Sequence, residues 1–205
     1  MTWSLCHHIL DFRVKDTILS LVENRTYQPV KLFCGIIQNN RFCKREIEQL
    51  LVSVWGEIDQ FSDLHLFDST NYYENEMGKM LTRWFAGFYT LISPESLADI
   101  KALSNQLEEH FMANGQRCVN IDPGYLDLDK VVLASAKYGR QKIAVGKGIY
   151  ADPVKHFYSK RFHSYDWSFP DFKSSLYDYF FIELRNQYRH QLRNQKSNQG
   201  ESNAF

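Results

Sequence analysis

A short polar segment of the chain collects carboxylates, phenols and a guanidinium. Residues 68–83 contain Asp68, Tyr72, Tyr73, Glu76 and Arg83. Carboxylates can act as general acids or bases, a guanidinium pairs with anions, and phenols stack or form hydrogen bonds. The segment is either an ordinary surface connection or a ligand-binding loop. The adjacent tyrosines keep the second interpretation level with the first, because large rings are seldom left in solvent without a function.

A second candidate is the sequence NIDPGY, residues 120–125. Its proline fixes one backbone angle and its glycine permits a positive one, so the pattern predicts a tight turn that directs Asp122 and Tyr125. Asp122 could then act as an acid or base, or bind a magnesium ion together with Asp68 or Asp127. The alternative is a turn that only reverses the chain.

The sequence GKGIY, residues 146–150, resembles a phosphate-binding loop only superficially. A P-loop requires GxxxxGK followed by Ser or Thr, between a strand and a helix. Here a glycine follows Lys147 and a strand-like sequence comes next. We therefore predict a hairpin turn, in which Lys147 remains a candidate anion contact beside Lys137 and Arg140.

The histidines and cysteines form no recognisable reactive site. No HExxH, GxSxG or CxxC pattern is present, and none of the seven histidines has a close histidine neighbour in a metal-binding spacing. We expect the four cysteines to be free thiols; they are Cys6, Cys34, Cys43 and Cys118.

Rings and cations alternate along residues 157–167, as they do in surfaces that bind single-stranded nucleic acid. A strand hairpin with one buried and one solvated face produces the same alternation. The 24 basic and 24 acidic residues give a formal net charge of zero. Nucleic acid is therefore an unlikely partner, because no molecule-wide field would recruit a polyanion.

Length and hydropathy indicate one domain. The 205 residues suffice for one substantial core, no segment approaches the roughly 20 apolar residues of a membrane span, and residues 1–9 lack the features of a signal peptide. We expect a cytoplasmic protein with an N-terminal arm or helix at 1–28, a single α+β domain at 29–193 and a disordered tail at 194–205.

Hydrophobic periodicity predicts a ferredoxin-like βαββαβ core, with both helices on one face of an antiparallel sheet. Residues 127–137 fit a strand or a short helix, with the strand favoured. A C-terminal hairpin and a final amphipathic helix from Ser174 complete the domain. The six core elements are strand 30–37, helix 43–55, strand 57–67, strand 80–92, a helix starting at Ser93-Pro94, and strand 117–121.

Several separated motifs, in order, resemble the bacterial and archaeal family called domain of unknown function 4416, some of whose members are labelled GTP-binding. They are PVKLFCGII, GEID, DSTNYYENEMG followed by Arg83, LADIK, VNIDPGYL, GKGIYA and WSFPDF. The resemblance covers about residues 29–193. It implies that the candidate residues in the 68–83 and 122–125 segments match the family pattern. Asp152-Pro153 departs from it, and Pro153 interrupts an expected strand.

These observations lead to two hypotheses of different kinds. The first is a small-ligand protein, either a binding protein or an enzyme, in which an anionic or nucleotide-like molecule is bound by Tyr72, Tyr73, Arg83, Tyr125 and Lys147. In this hypothesis the acid and base groups are Asp68, Glu76 and Asp122. The second is a non-catalytic module that binds a protein or RNA through a sheet edge and the aromatic hairpin.

Overall fold

The computed structural model describes residues 27–202. The arm predicted for residues 1–28 therefore lies outside the described residues, apart from its last two. The chain is a mixed α/β protein with a large antiparallel sheet and several helices. No helix in residues 27–202 is both long and apolar enough to cross a membrane.

Nine strands form one antiparallel sheet. A further two short strands pair with each other. In chain order the strands are β1 (Val30–Gln38), β2 (Ile58–Phe61), β3 (His65–Leu66), β4 (Thr82–Ile92), β5 (Met112–Ala113), β6 (Gln116–Arg117), β7 (Val119–Leu126), β8 (Lys130–Ser135), β9 (Ile143–Gly146), β10 (Ile149–Tyr158) and β11 (Arg161–Ser164). Seven strands of the large sheet follow in the order β11-β10-β8-β7-β1-β4-β2, while β3 also pairs with β4 and β9 with β10; β5 and β6 form the separate pair.

Helices cover both faces of the sheet. One face packs against α1 (Lys44–Trp55) and α3 (Leu97–Glu108), which bury Ile47, Leu51, Ile100 and Leu107 against alternate residues of the central strands. A short helix, α2 (Glu74–Met77), lies in the connection before β4. Alternation along β1 assigns Leu32, Cys34 and Ile36 to this face and Phe33 to the other, as a strand with two buried faces requires.

The second face packs against α4 (Pro170–Lys173) and the long helix α5 (Asp178–Ser202). The stripe predicted from the helical period is buried in one cluster with Phe33 and Phe85; it comprises Tyr177, Phe180, Phe181, Leu184 and Tyr188. The hydroxyl of Tyr188 donates to Pro29 O at 2.7 Å, which fixes the start of β1 beneath the helix. In the structure α5 continues to Ser202, through much of the segment for which composition predicts a disordered tail.

The predicted turn at residues 122–125 is wrong. These residues lie inside β7, which pairs with β1 continuously from Val119 to Leu126. The predicted strand 57–67 is divided into β2 and β3, whereas residues 130–135 form the favoured strand, β8. Pro153 does not interrupt β10; the register with β8 shifts between Pro153 and Lys155, so the proline marks a β-bulge.

Candidate functional site

The sheet opens between β7 and β8. Leu126 pairs with Val131, and the pairing of the two strands ends two residues further on, where Gly124 is opposite Leu133, although both strands continue. Beyond that point β8 stays paired with β10, and β7 stays paired with β1. The two strands therefore diverge near the centre of the sheet.

Side chains from α3 satisfy the backbone that this opening exposes. The N–H of Ile121 donates to Glu108 Oε1 at 2.7 Å, and its C=O accepts from Lys101 Nζ at 3.0 Å. Pro123 lies two residues further along the same side of β7 and has no N–H, so it leaves no donor unsatisfied. Glu108 and Lys101 thus take the place of the missing strand partner.

Gly124 lies at the point where the strands separate. A Cβ atom at this position would lie 2.5 Å from Val132 O and 2.6 Å from Phe33 Cζ. Only glycine allows this close approach of the backbone, so the Pro-Gly pair that resembles a turn instead shapes the opening.

A cavity of about 670 Å³ occupies this region. Its walls come from β7, β8, β4, α3 and the segments at 67–73, 137–142 and 169–171. Five cations and three carboxylates line it, and each carboxylate is paired with a cation. The pairs are Arg83–Asp171 at 2.5 Å, Lys101–Asp122 at 3.0 Å and Lys142–Asp152 at 3.3 Å.

Arg83 is the most enclosed cation of the cavity. Its residue exposure is 4%, its Nη1 donates to Asp171, and its guanidinium carbon lies 5.0 Å from the ring centre of Phe172 and 5.1 Å from that of Phe85. This packing holds the guanidinium in one orientation. The same surroundings act on Tyr177, where burial, opposed by Arg83, raises the pKa to about 12.

Asp122 is held in its ionised form. Burial favours the neutral acid, but the positive charges of Lys101 and Arg83, with hydrogen bonds from Lys101 and Asn120, outweigh it and keep the pKa of Asp122 below its ordinary value. Both carboxylate oxygens are used, one by Lys101 Nζ and the other by Asn120 Nδ2 at 2.8 Å. Asp122 is therefore a fixed acceptor at neutral pH.

Arg117 connects three elements at the edge of the cavity. It pairs with Glu108 of α3, with Glu76 of α2 at 2.8 Å, and with Asn120 Oδ1 at 3.0 Å. Burial raises the pKa of Glu108, although Ile121 N–H, Lys101 and Arg117 oppose the rise. Burial would lower the pKa of Arg117, but Glu108 and Glu76 raise it above its ordinary value, so Arg117 stays charged.

Three residues lining the cavity each carry a buried polar atom without a hydrogen-bond partner. In the described part of the chain, six buried side-chain nitrogen or oxygen atoms lack a partner, and three of them are Ser69 Oγ, Arg83 Nε and Arg117 Nε. Buried donors normally have acceptors. Three of the six belong to residues of one cavity.

Aromatic side chains surround the cavity mouth. Tyr72, Tyr138 and Phe169 line it with exposures of 60%, 76% and 50%. Lys137 donates to Tyr72 Oη, and its Nζ lies 3.8 Å from the centre of that ring. Among residues 27–202, no carboxylate lies within ion-pair distance of Lys137. The mouth thus offers flat rings and an unneutralised cation.

The structure brings together some of the residues predicted from sequence. Tyr72, Tyr73, Arg83 and Asp122 all line the cavity, although they come from distant segments. Tyr73 is half-buried against Phe67, and burial raises its pKa, so its phenol remains protonated.

The other four predicted site residues do not line the cavity. Glu76 is joined to it only through Arg117, and Asp68 is exposed outside its wall. Tyr125 packs against the cluster around Leu97 and Val132 on the α3 face, while Lys147 pairs with Asp99 at a surface turn.

Of the proposed magnesium ligands Asp68 and Asp122, only Asp122 lines the cavity. Asp122 has both oxygens occupied by donors, and Lys101 lies beside it, an environment that disfavours a second cation. No group of three or more His, Cys, Asp or Glu side chains in residues 27–202 is arranged to hold a metal ion.

Sequence patterns did not reveal Lys101, Arg117 or Asp171 as site residues, whereas Asn120 belongs to the NIDPGY candidate and lines the cavity. Lys101 follows Ile100 on the buried stripe of a helix, where a charged residue is rare, and this was the one available signal. Asp171 belongs to the WSFPDF motif, but nothing local in the sequence connects it with Arg83, 88 residues away.

Comparison with known proteins gives one match. The family model described as Domain of unknown function (DUF4416) matches residues 28–188, from the start of β1 into α5. The match agrees with the resemblance carried by the separated motifs. The searches of curated proteins and of solved structures find nothing that matches this chain.

Proposed function

The chain belongs to the family described as Domain of unknown function (DUF4416), and we propose that its cavity binds a small anionic ligand with a flat ring, such as a nucleotide. The observation that carries this proposal is the charge of the cavity lining, in which five cations outnumber three carboxylates. An anion with several oxygen acceptors would balance the excess positive charge. The volume of about 670 Å³ suits a ligand of nucleotide size.

In this proposal the flat ring of the ligand binds at the mouth of the cavity. Tyr72, Tyr138 and Phe169 are exposed at the entrance, where stacking on a planar group would remove their apolar surface from water. Lys137 adds a cation that no described carboxylate neutralises. The anionic end would then lie deeper, towards Arg83 and Arg117, and the ring nearer the solvent.

Binding fits the site better than proton transfer. Asp122 is the one predicted acid or base that lines the cavity. A carboxylate whose pKa lies below its ordinary value is a weak base at neutral pH, and its two oxygens already accept hydrogen bonds. We therefore propose a ligand-binding protein as the leading function, with an enzyme as the weaker version of the same proposal.

We also propose that the central strands are a ferredoxin-like βαββαβ core. The support is the order β7-β1-β4-β2, all antiparallel, with α1 and α3 covering one face. The strands β8 to β11 extend this core beyond β7. The ligand cavity would then lie at the junction between the core and its extension.

Titration calorimetry with nucleoside phosphates and aromatic carboxylates tests the proposed function. We expect Lys137→Gln, an exposed substitution that leaves the fold intact, to weaken binding of the best ligand about fivefold. Lys79→Gln is the matched control, since Lys79 is exposed and outside the cavity wall. Absence of binding by every member of the panel, or equal weakening in both variants, would sink the proposal.

The alternative, a protein- or RNA-binding module, rests on the hairpin of β10 and β11 at one edge of the sheet. Tyr158 is 69% exposed there, and Tyr165 stacks on Trp167 with ring centres 4.6 Å apart. Phe157 and Phe162 instead pack in the cluster beneath α5, so the alternating rings are divided between two faces. If a Tyr158→Ala variant keeps full ligand affinity in the calorimetry, the hairpin surface takes no part in ligand binding by the cavity.

A further inference from the structure

A groove between the β10–β11 hairpin and α5 gathers three cations away from the cavity. Its volume is about 310 Å³, and it shares no lining residue with the cavity. Lys160 comes from the hairpin turn, and Arg185 and Arg189 come from successive turns of α5. No carboxylate in residues 27–202 lies within ion-pair distance of any of the three.

Arg185 is positioned by contacts that leave the end of its side chain available. Its Nε donates to Leu128 O at 2.7 Å, and its guanidinium carbon lies 3.6 Å from the centre of the Phe157 ring. Its two terminal nitrogens make no hydrogen bond to the described residues. A guanidinium fixed at one edge presents its other edge for two parallel hydrogen bonds to an oxyanion.

The surrounding charges repel one another in the absence of a ligand. Arg189 lies four residues after Arg185 on the same helix face, a spacing at which like charges are unfavourable. Burial, and then Arg189, lower the pKa of Arg185, while the charges of Asp129 and Asp127 oppose this. The carboxylate of Asp127 already accepts hydrogen bonds from the backbone and side chain of Lys130.

Lys160 lies in the hairpin turn with a left-handed backbone conformation. Ser159 and Lys160 have φ values of 48° and 64°, a two-residue turn in which Asn-Gly is the favoured sequence. The chain thus carries a cation at a position where glycine would be less strained, and that cation lines the groove.

We propose that this groove is a second anion site and that it binds a phosphate group. Three cations from two elements, one of them a preset guanidinium, match the charge and the tetrahedral oxygens of phosphate. The molecule that carries this phosphate group is either a small phosphate ester or a single-stranded nucleic acid, since both present the same group. The proposal does not depend on the function of the cavity.

Calorimetry of the full chain at low salt, with inorganic phosphate and with a short oligothymidylate, tests the groove. Arg189 is exposed and Arg185 half-buried, and we expect Arg189→Gln and Arg185→Gln each to weaken phosphate binding about tenfold. Arg45→Gln on α1 is the matched control, because it removes an exposed helical arginine on the opposite face of the sheet; it should bind as the wild type does.

The two probes distinguish the sources of phosphate. Oligothymidylate that binds more tightly than phosphate, and loses affinity steeply with added salt, identifies a nucleic-acid backbone. Oligothymidylate that binds no better than phosphate identifies a small ester. No phosphate binding by the wild type, or wild-type affinity in Arg189→Gln, overturns the proposal. The proposal is also overturned if Lys137→Gln lowers the affinity for phosphate and Arg189→Gln does not, because the anion would then lie in the cavity.

Discussion

Asp122 shows how neighbouring side chains set the charge of a single residue in the cavity. Its side chain is 24% exposed, and burial alone would favour its neutral form. Lys101 from α3, through its charge and a hydrogen bond at 3.0 Å, is the largest of the contributions that reverse that preference, with Arg83 and Asn120 adding to it. The pKa of this carboxyl thus depends on a residue of another element.

We predict that Lys101→Met raises the pKa of Asp122, because burial then acts with less opposition. Since the folded pKa of Asp122 is depressed, its ionisation stabilises the wild type above the unfolded value of about 3.9, and this contribution is lost as the pH falls through the folded pKa. In the variant this pH-dependent contribution should be smaller, because the folded pKa is no longer depressed to the same extent. Carbon-13 NMR of the Asp122 carboxyl measures the pKa directly.

Lys79→Met is the control for this titration, since Lys79 is not among the charges that act on Asp122. It should leave the Asp122 midpoint unchanged. An unaltered midpoint in Lys101→Met would show that Lys101 does not hold the carboxylate ionised.

At the level of elements, the divergence of β7 and β8 creates the cavity. The sequence around Pro123 and Gly124 has the composition of a turn, and local turn rules predict one there. The structure forms a strand instead, because β1 pairs with this segment along its whole length. That pairing is a long-range interaction, and single-sequence patterns carry no information about it.

We predict that Gly124→Ala destabilises the protein by about 1–3 kcal/mol, because its Cβ would overlap Val132 O and the Phe33 ring. Urea unfolding measures the change. In the control, Gly139→Ala, the added Cβ would lie 3.0–3.1 Å from the side chain of Lys142, with no backbone atom among its three nearest contacts, and we expect a change below about 1 kcal/mol. Equal stability of the Gly124 variant and the wild type would contradict the close approach of the two strands.

At the level of the whole molecule, helices on both faces of one sheet hold the cavity walls in place. Periodicity predicted the helix at residues 44–55, the long C-terminal helix and most strands, because each has a strong local pattern. Residue types in segments 68–83 and 120–125 also select Arg83 and Asp122, which share the cavity. Neither signal could find Asp171 or Arg117, since their roles depend on contacts between segments far apart in sequence.

Nitrogen-15 NMR of the arginine Nε–H groups tests the central claim most directly, because it observes the unpartnered donors of Arg83 and Arg117 themselves. The full chain would be titrated with nucleoside phosphates and aromatic carboxylates. We predict that at least one ligand shifts both resonances saturably, at one molecule per chain. If every ligand leaves both resonances where they are, the cavity does not bind an anion of this kind.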